Sequence, residues 1–297
     1  MAIERQVELI GAAWGLGGPE PGCAEAPAVL APLLVEQLQR CGVPLQAGPI
    51  LSPPPSERRK KFAVSKLCRL LASAVAGALE RGRLPCVLGG DHSCAGGTWT
   101  GVARAVKGPL GLVWIDAHMD AHTPGTSHSG RLHGMPLAWL LGQDDNALYG
   151  LATGVIEPQH VALVGVRSFE PEERERLERL GVRVFYMNDV ERHGIDATLE
   201  EALAIATRGT VAFGVSVDLD VVTPDEAPGV GTPVPGGISS AELTGALERI
   251  GPRPDLAALE LVEYSPRLDP SGASARVAVE IVRALLAGAR EQAQVVP

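Results

Sequence analysis

The sequence predicts an α/β protein in which a central, mostly parallel sheet is covered by helices on both faces. Three observations lead there. Short runs rich in Val, Leu and Ile alternate with longer stretches of helical period along the chain, the order that builds a parallel sheet between helical layers. The short runs are apolar at nearly every position rather than at every second one, as expected of strands buried on both sides. Several of them end in Gly, Asp or His, where an open α/β sheet forms its ligand crevice.

Residues 7–12 read as the first strand, and 31–40 as a helix that tolerates Pro32 because proline costs little in a first turn. The polar, proline-rich stretch 51–61 reads as a surface loop before a long helix over 62–81. A strand at 87–89 runs into Gly90, Asp91 and His92, and a helix spans 98–107. Further strands are placed at 110–115, 161–166, 182–186, 211–217 and 256–262. Helices over 172–180, 199–207, 240–250 and 275–289 complete the cover. Their Ala and Leu content gives wide apolar stripes, and with 4% aromatic residues the core must be largely aliphatic.

The 297 residues contain no linker-like tract and no repeat, so a single catalytic domain over 1–297 is expected. A net charge of -9 argues against nucleic acid or an anionic membrane as partner and favours a small cationic molecule. Cys23, Cys41, Cys68, Cys86 and Cys94 are odd in number and lack CxxC spacing, which points to a reducing, cytoplasmic setting. The first residues lack a basic and apolar leader, and no run approaches the roughly 18 apolar residues of a membrane span.

The densest chemistry follows the strand at 110–115, where Asp116, His118, Asp120 and His122 stand at every second position. His92 leaves one strand in the same way, and Asp218 and Asp220 leave another two residues apart, on one side. Carboxylates with imidazoles and no thiols suit Mn2+, Zn2+, Fe2+ or Ni2+, with Mn2+ the first choice, and argue against a closed cysteine zinc site. Six ligands, four of them carboxylates, can bridge two ions about 3.5–4 Å apart. Five of the seven histidines, His92, His118, His122, His128 and His133, fall between positions 92 and 133, while His160 and His193 read as ordinary surface residues. Glu263 also follows an apolar strand, where its two oxygens could grip a planar guanidinium.

The segments Gly89 to Ser93, Asp116 to Asp120, Ser216 to Asp220 and Gly231 to Gly237 resemble the signatures of the ureohydrolase family. Thr123 to Ala138 and Val262 to Pro266 resemble its arginase branch. The resemblance covers nearly the whole chain and implies a three-layer α/β/α fold with about eight strands. It implies two Mn2+ ions, one held by His92, Asp116, Asp120 and Asp218, the other by Asp116, His118, Asp218 and Asp220. A hydroxide between the ions would attack the guanidinium carbon of a small cationic guanidino substrate, giving urea and an amine. Asp120 would orient the hydroxide, His133 would shuttle a proton, and Glu263 would clamp the guanidinium. Ser127, Ser129 and His122 would hold an α-carboxylate and Glu170 an α-amine. His122 departs from the Asn usual there, so agmatine, guanidinobutyrate, guanidinopropionate and formimidoylglutamate stand beside L-arginine as substrates. A homotrimer or homohexamer is implied as well. Two other classes remain open at this point: a single-zinc deacetylase, disfavoured by the doublet Asp218 and Asp220, and a relative without turnover, disfavoured by a full ligand set.

Overall fold

The computed structural model describes residues 5–53, 59–143, 148 and 150–288. Among them, strands β1 (Val7–Ala12), β2 (Leu45–Leu51), β3 (Leu84–Leu88), β4 (Leu110–Ile115), β5 (Val161–Val166), β6 (Arg183–Tyr186), β7 (Ala212–Asp218) and β8 (Leu256–Val262) form one sheet. Its order is β2-β1-β3-β8-β7-β4-β5-β6, and every adjacent pair is parallel. The chain builds outward from β1, jumps from β3 to β4, and returns with β7 and β8 to fill the gap between them. The carboxyl ends of the four central strands β3, β8, β7 and β4 therefore open side by side at the switch point.

Nine helices are described: α1 (Ala26–Arg40), α2 (Lys60–Glu80), α3 (Ala95–Ala105), α4 (Pro136–Leu140), α5 (Pro171–Leu180), α6 (Met187–His193), α7 (Ile195–Thr207), α8 (Ser240–Ile250) and α9 (Ala273–Ala287). On one face of the sheet Leu30 and Leu34 of α1, Leu199 of α7, Leu243 of α8 and Ile281 of α9 pack with Val113 and Ile115 of β4. On the other face Leu71 and Val75 of α2, Trp99 of α3 and Leu177 of α5 pack with Leu112 and Trp114. The alternation of β4 residues between the two cores is the two-residue period of a strand. Each such fully buried aliphatic side chain contributes roughly 1.5–3 kcal/mol.

Several boundaries differ from the expectation, and one strand is new. β2 was not foreseen because it is an edge strand whose residues are half-buried or exposed and whose middle is Gly48 and Pro49; proline is accepted at a sheet edge, where its missing N–H faces solvent. β3 starts three residues before the expected 87, with Pro85 in its second position. Helices α1 and α7 begin four or more residues early, at Ala26 and Ile195. Positions 54–58 of the proline-rich loop and the expected helix end at Ala289 lie outside the described residues.

The expectation that no segment approaches a membrane span needs amending. Helix α2 is long and apolar enough to cross one by length and composition, with 56% of its most apolar window buried inside the fold. Its Cys68 and Ala72 backbones meet Gly97 and Gly101 of α3, so small residues let the two helices approach closely.

Gly214 in β7 faces the indole of Trp99, where an added Cβ would lie 1.9 Å from Cζ3. Gly214→Ala is expected to overpack this contact and cost about 1–3 kcal/mol, read as a lower midpoint in chemical denaturation; an unchanged midpoint would show that Trp99 has room to move.

Candidate metal centre

Three of the four central strand ends supply the expected metal ligands. His92 follows β3 in a short 3-10 turn capped by the Asp91 carboxylate, which accepts from Ser93 N. Asp116, His118 and Asp120 follow β4, while Asp218 ends β7 and Asp220 follows it in another 3-10 turn. Gly90 allows the first of these approaches. An added Cβ there would lie 1.6 Å from the Trp14 carbonyl oxygen, and Gly90 O accepts the Glu263 N–H at 2.8 Å.

The six residues converge. His92 Nδ1 stands 3.2 Å from Asp116 Oδ2, 3.0 Å from Asp120 Oδ2 and 3.2 Å from Asp218 Oδ2. His118 Nδ1 stands 3.0 Å from Asp220 Oδ2 and 3.6 Å from Asp116 Oδ1. Asp116 thus turns one oxygen to each histidine and belongs to both groups, His92 with Asp116 and Asp218, and Asp116 with His118 and Asp220. Asp218 directs Oδ2 to His92 while its Oδ1 accepts the Asp220 N–H at 2.9 Å, so a bridge through Asp218 would use a single oxygen.

The proton pattern around His92 fits a cation. Ser216 Oγ donates to Glu260 Oε2 at 2.8 Å, so it accepts from His92 Nε2–H at 3.0 Å. That commits Nε2–H to Ser216 and leaves Nδ1 buried and facing three carboxylate oxygens, Asp116, Asp120 and Asp218, which outweigh burial and push the His92 pKa well above its ordinary value. Oxygens gathered in this way repel each other unless a positive charge, a proton or a metal ion, lies among them. The electrostatics agree: burial, then Asp220 and Asp116, push Asp218 well above the ordinary carboxylate range, and burial, then Asp116, raise Asp120. Asp116 is held low, because its contacts with His118 and His92 outweigh burial.

The backbone is bent to this purpose. Asp120 and Glu263 are the non-glycine residues with positive φ among those described, at 48° and 64°. Such conformations cost of order 1–3 kcal/mol and cluster at functional sites.

Sequence reasoning missed the supports of the cluster. Glu260, not singled out among the candidate residues, is fully buried and accepts from Thr98 Oγ1, Trp99 Nε1 and Ser216 Oγ. Ser216 and Glu260 are register partners of β7 and β8, and the same face carries Asp218, a pairing that exists only once the two strands are aligned. Trp114 donates to Asp116 Oδ2 at 2.9 Å and stacks on the His92 ring at 4.2 Å. Thr232 donates to Asp220 Oδ2 at 3.1 Å. Partners of this kind orient ligands and tune their basicity.

The remaining expected site residues line or flank a cavity of about 170 Å³ above the cluster. His133 Nδ1 lies 3.0 Å from Glu263 Oε1, which also accepts the His92 N–H at 2.8 Å. Burial alone would lower the His133 pKa, but the Glu263 carboxylate outweighs it and pushes the ring up to about 9. At the cavity mouth His122 Nε2 stands 3.0 Å from Glu170 Oε2 and 3.3 Å from Glu173 Oε2, and its Nδ1 stands 3.2 Å from Thr126 Oγ1. Glu173, also missed, accepts the N–H groups of Ala121 and Glu170 and so ties α5 to the ligand loop. Ser127 and Ser129 accept the N–H groups of Gly130 and Arg131 at 3.0 and 3.3 Å, leaving each hydroxyl proton available to a ligand.

Known proteins share this arrangement of chain. A model of the arginase family matches residues 5–288. The arginase of Bacillus caldovelox is 41% identical over 232 residues, 77% of each chain. That of Bacillus subtilis (strain 168) is 35% identical over 296 residues, 96% of this chain and 98% of its own. The crystal structure of arginase from Bacillus subtilis superposes with a TM-score of 0.89 at 34% identity, covering 97% of this chain and all of that one. Formimidoylglutamase from Bacillus subtilis, at 23% identity and a TM-score of 0.80, shares the fold.

The hold of Glu263 on His133 has a measurable sign. A histidine whose folded pKa is raised adds stability that is complete below the unfolded value of about 6.5 and is lost as pH rises through about 9. Glu263→Gln is expected to lower the His133 pKa, read from its ring proton shifts in an NMR titration, and to remove stability at neutral pH. An unchanged titration would show that Glu263 does not set the charge of His133.

Proposed function

The chain belongs to the arginase family, and we propose that it hydrolyses the guanidinium group of L-arginine to L-ornithine and urea at a binuclear manganese centre. The observation that carries this reading is the pair of histidine and carboxylate groups joined by Asp116 at the floor of one cavity. His92, Asp116, Asp120 and Asp218 would hold one ion, and Asp116, His118, Asp218 and Asp220 the other. When bound, such ions lower the pKa of water toward neutrality and so supply a nucleophile at physiological pH.

The protein residues do the rest. Asp120 offers a carboxylate oxygen to the attacking water and orients it toward the guanidinium carbon. His133, partly open to solvent and held by Glu263, delivers the proton that the departing amine takes when the C–N bond breaks. Glu263 can offer only Oε2, which accepts from Cys23 Sγ at 3.7 Å, to one guanidinium N–H, a single contact in place of the two-pronged clamp, because Oε1 is engaged by His92 N and His133. At the far end Ser127 and Ser129 donate to the α-carboxylate. Glu170, tethered through one oxygen to His122, turns the other to the α-amine. His122 thus acts mainly by aiming Glu170. We further propose that the chain works as one catalytic domain, in the cytoplasm, and as a homotrimer or homohexamer; the unbroken eight-stranded sheet supports the first, the free cysteines the second and the family resemblance the third.

The test is urea release by Mn-loaded protein across L-arginine, agmatine, guanidinobutyrate and guanidinopropionate, with formamide release from formimidoylglutamate beside it. L-arginine is expected to be preferred; preference for a compound lacking the α-amine or α-carboxylate would discard the grip at Ser127, Ser129 and Glu170. His133→Ala is expected to keep its metal and lose about 10²–10⁴-fold in kcat, and an unchanged kcat would remove His133 from proton transfer.

A further inference from the structure

The loop that leaves β1 passes against His133, and a buried carboxylate holds that loop. We propose that Asp91 is a positioning residue that seats His133 through the backbone of Gly17 and Gly18, a role that rests on His133 delivering the proton as proposed above. Asp91 grips the loop at two points: its N–H donates to Trp14 O at 2.9 Å, and its Oδ2 accepts the Gly17 N–H at 2.7 Å.

The same stretch of backbone reaches the imidazole. Gly17 O accepts the N–H groups of Leu132 and His133 at 2.9 and 3.3 Å. A Cβ on Gly18 would lie 3.2 Å from His133 Nδ1, and one on Gly17 would lie 2.4 Å from Asp91 Oδ1 and 2.6 Å from Ser93 Oγ. Two adjacent glycines thus bring the backbone into contact with the carboxylate at one residue and the ring at the next. Glu263 Oε1 engages the ring as well, 3.0 Å from Nδ1. His133 is therefore held through both its main chain and its ring.

The residue type at position 91 fits this double duty. Asp91 is fully buried, and its Oδ1 caps the turn of His92 by accepting from Ser93 N at 3.1 Å and from Ser93 Oγ. A cap needs one oxygen, and the second is spent on Gly17. An Asn amide has a single acceptor oxygen, so it could serve Ser93 or Gly17 but not both. An ionised acceptor also grips an N–H about twice as strongly as a neutral one, which repays burying the group where its hydrogen bonds come from neutral donors.

Two variants loosen the hold from opposite sides. Asp91→Asn keeps the shape and gives up one of the two contacts, while Gly17→Ala forces the loop off the carboxylate and leaves Asp91 in place to cap the turn of His92. Urea release by the Mn-loaded full chain, Mn content by elemental mass spectrometry and the His133 ring proton resonances of the metal-free chain by NMR are measured for both. Mn content should equal that of the parent and KM for L-arginine should stay within about twofold. The kcat should fall about 10–100-fold, the range that a misplacement of about 1 Å commands. The His133 resonances should shift in both variants while those of His193, exposed at the end of α6, stay. In the His133→Ala background either substitution should lower kcat by less than about twofold more, as expected of residues acting as one unit. Unmoved His133 resonances, a kcat loss that multiplies with that of His133→Ala, or a loss accounted for by missing Mn in both variants would overturn the positioning role. An unchanged kcat in His133→Ala beside shifted resonances would uphold the placement of His133 by Asp91 and remove the proton-transfer reading instead.

Discussion

Four carboxylates and two imidazoles meet in a nearly dry crevice at the ends of β3, β4 and β7, and the surrounding structure answers to that concentration of negative charge. Burying one unpaired carboxylate is costly, and burying four together is tolerable only if positive charge comes with them. With both histidines neutral, two divalent cations would balance the four aspartates. The hydrogen-bond chain from Glu260 through Ser216 fixes His92 so that its Nδ1 points into the cluster. Trp114 and Thr232 hold Asp116 and Asp220 by direct hydrogen bonds. The positive φ at Asp120 and Glu263 is strain that the rigid central strands can bear.

Much of this was legible in the chain because its determinants are local. The strand exits at Asp116 and Asp218 are marked by apolar runs that stop at ligands, and spacing by two placed each set on one side of its strand. β2 was illegible for the opposite reason: an edge strand needs no continuous apolar run, and Gly48 and Pro49 read as a break. The roles of Glu260 and Glu173 depend on partners 44 and 52 residues away, Ser216 and Ala121, which no local pattern reveals. His122 lines the cavity, but its engagement with Glu170 and Glu173 emerges only once α5 is docked.

In the proposed reaction, chemistry and selectivity occupy different parts of the site. The metal cluster and His133 rest on sheet ends and on the contact with Glu263, whereas Ser127, Ser129 and Glu170 belong to a loop and a helix start. A fold shared with formimidoylglutamase at 23% identity does not specify the substrate. Selectivity must therefore be read from that outer loop, where His122 is the residue that departs from the arginase pattern.

The central claim is that the cluster is a two-cation site, and the direct measurement is the metal content of the Mn-loaded, exhaustively desalted chain by elemental mass spectrometry against protein concentration. Two ions per chain is the predicted result. One ion or none, in protein that is folded and at neutral pH, would contradict the account, because the charge of four buried aspartates would then be balanced in some other way.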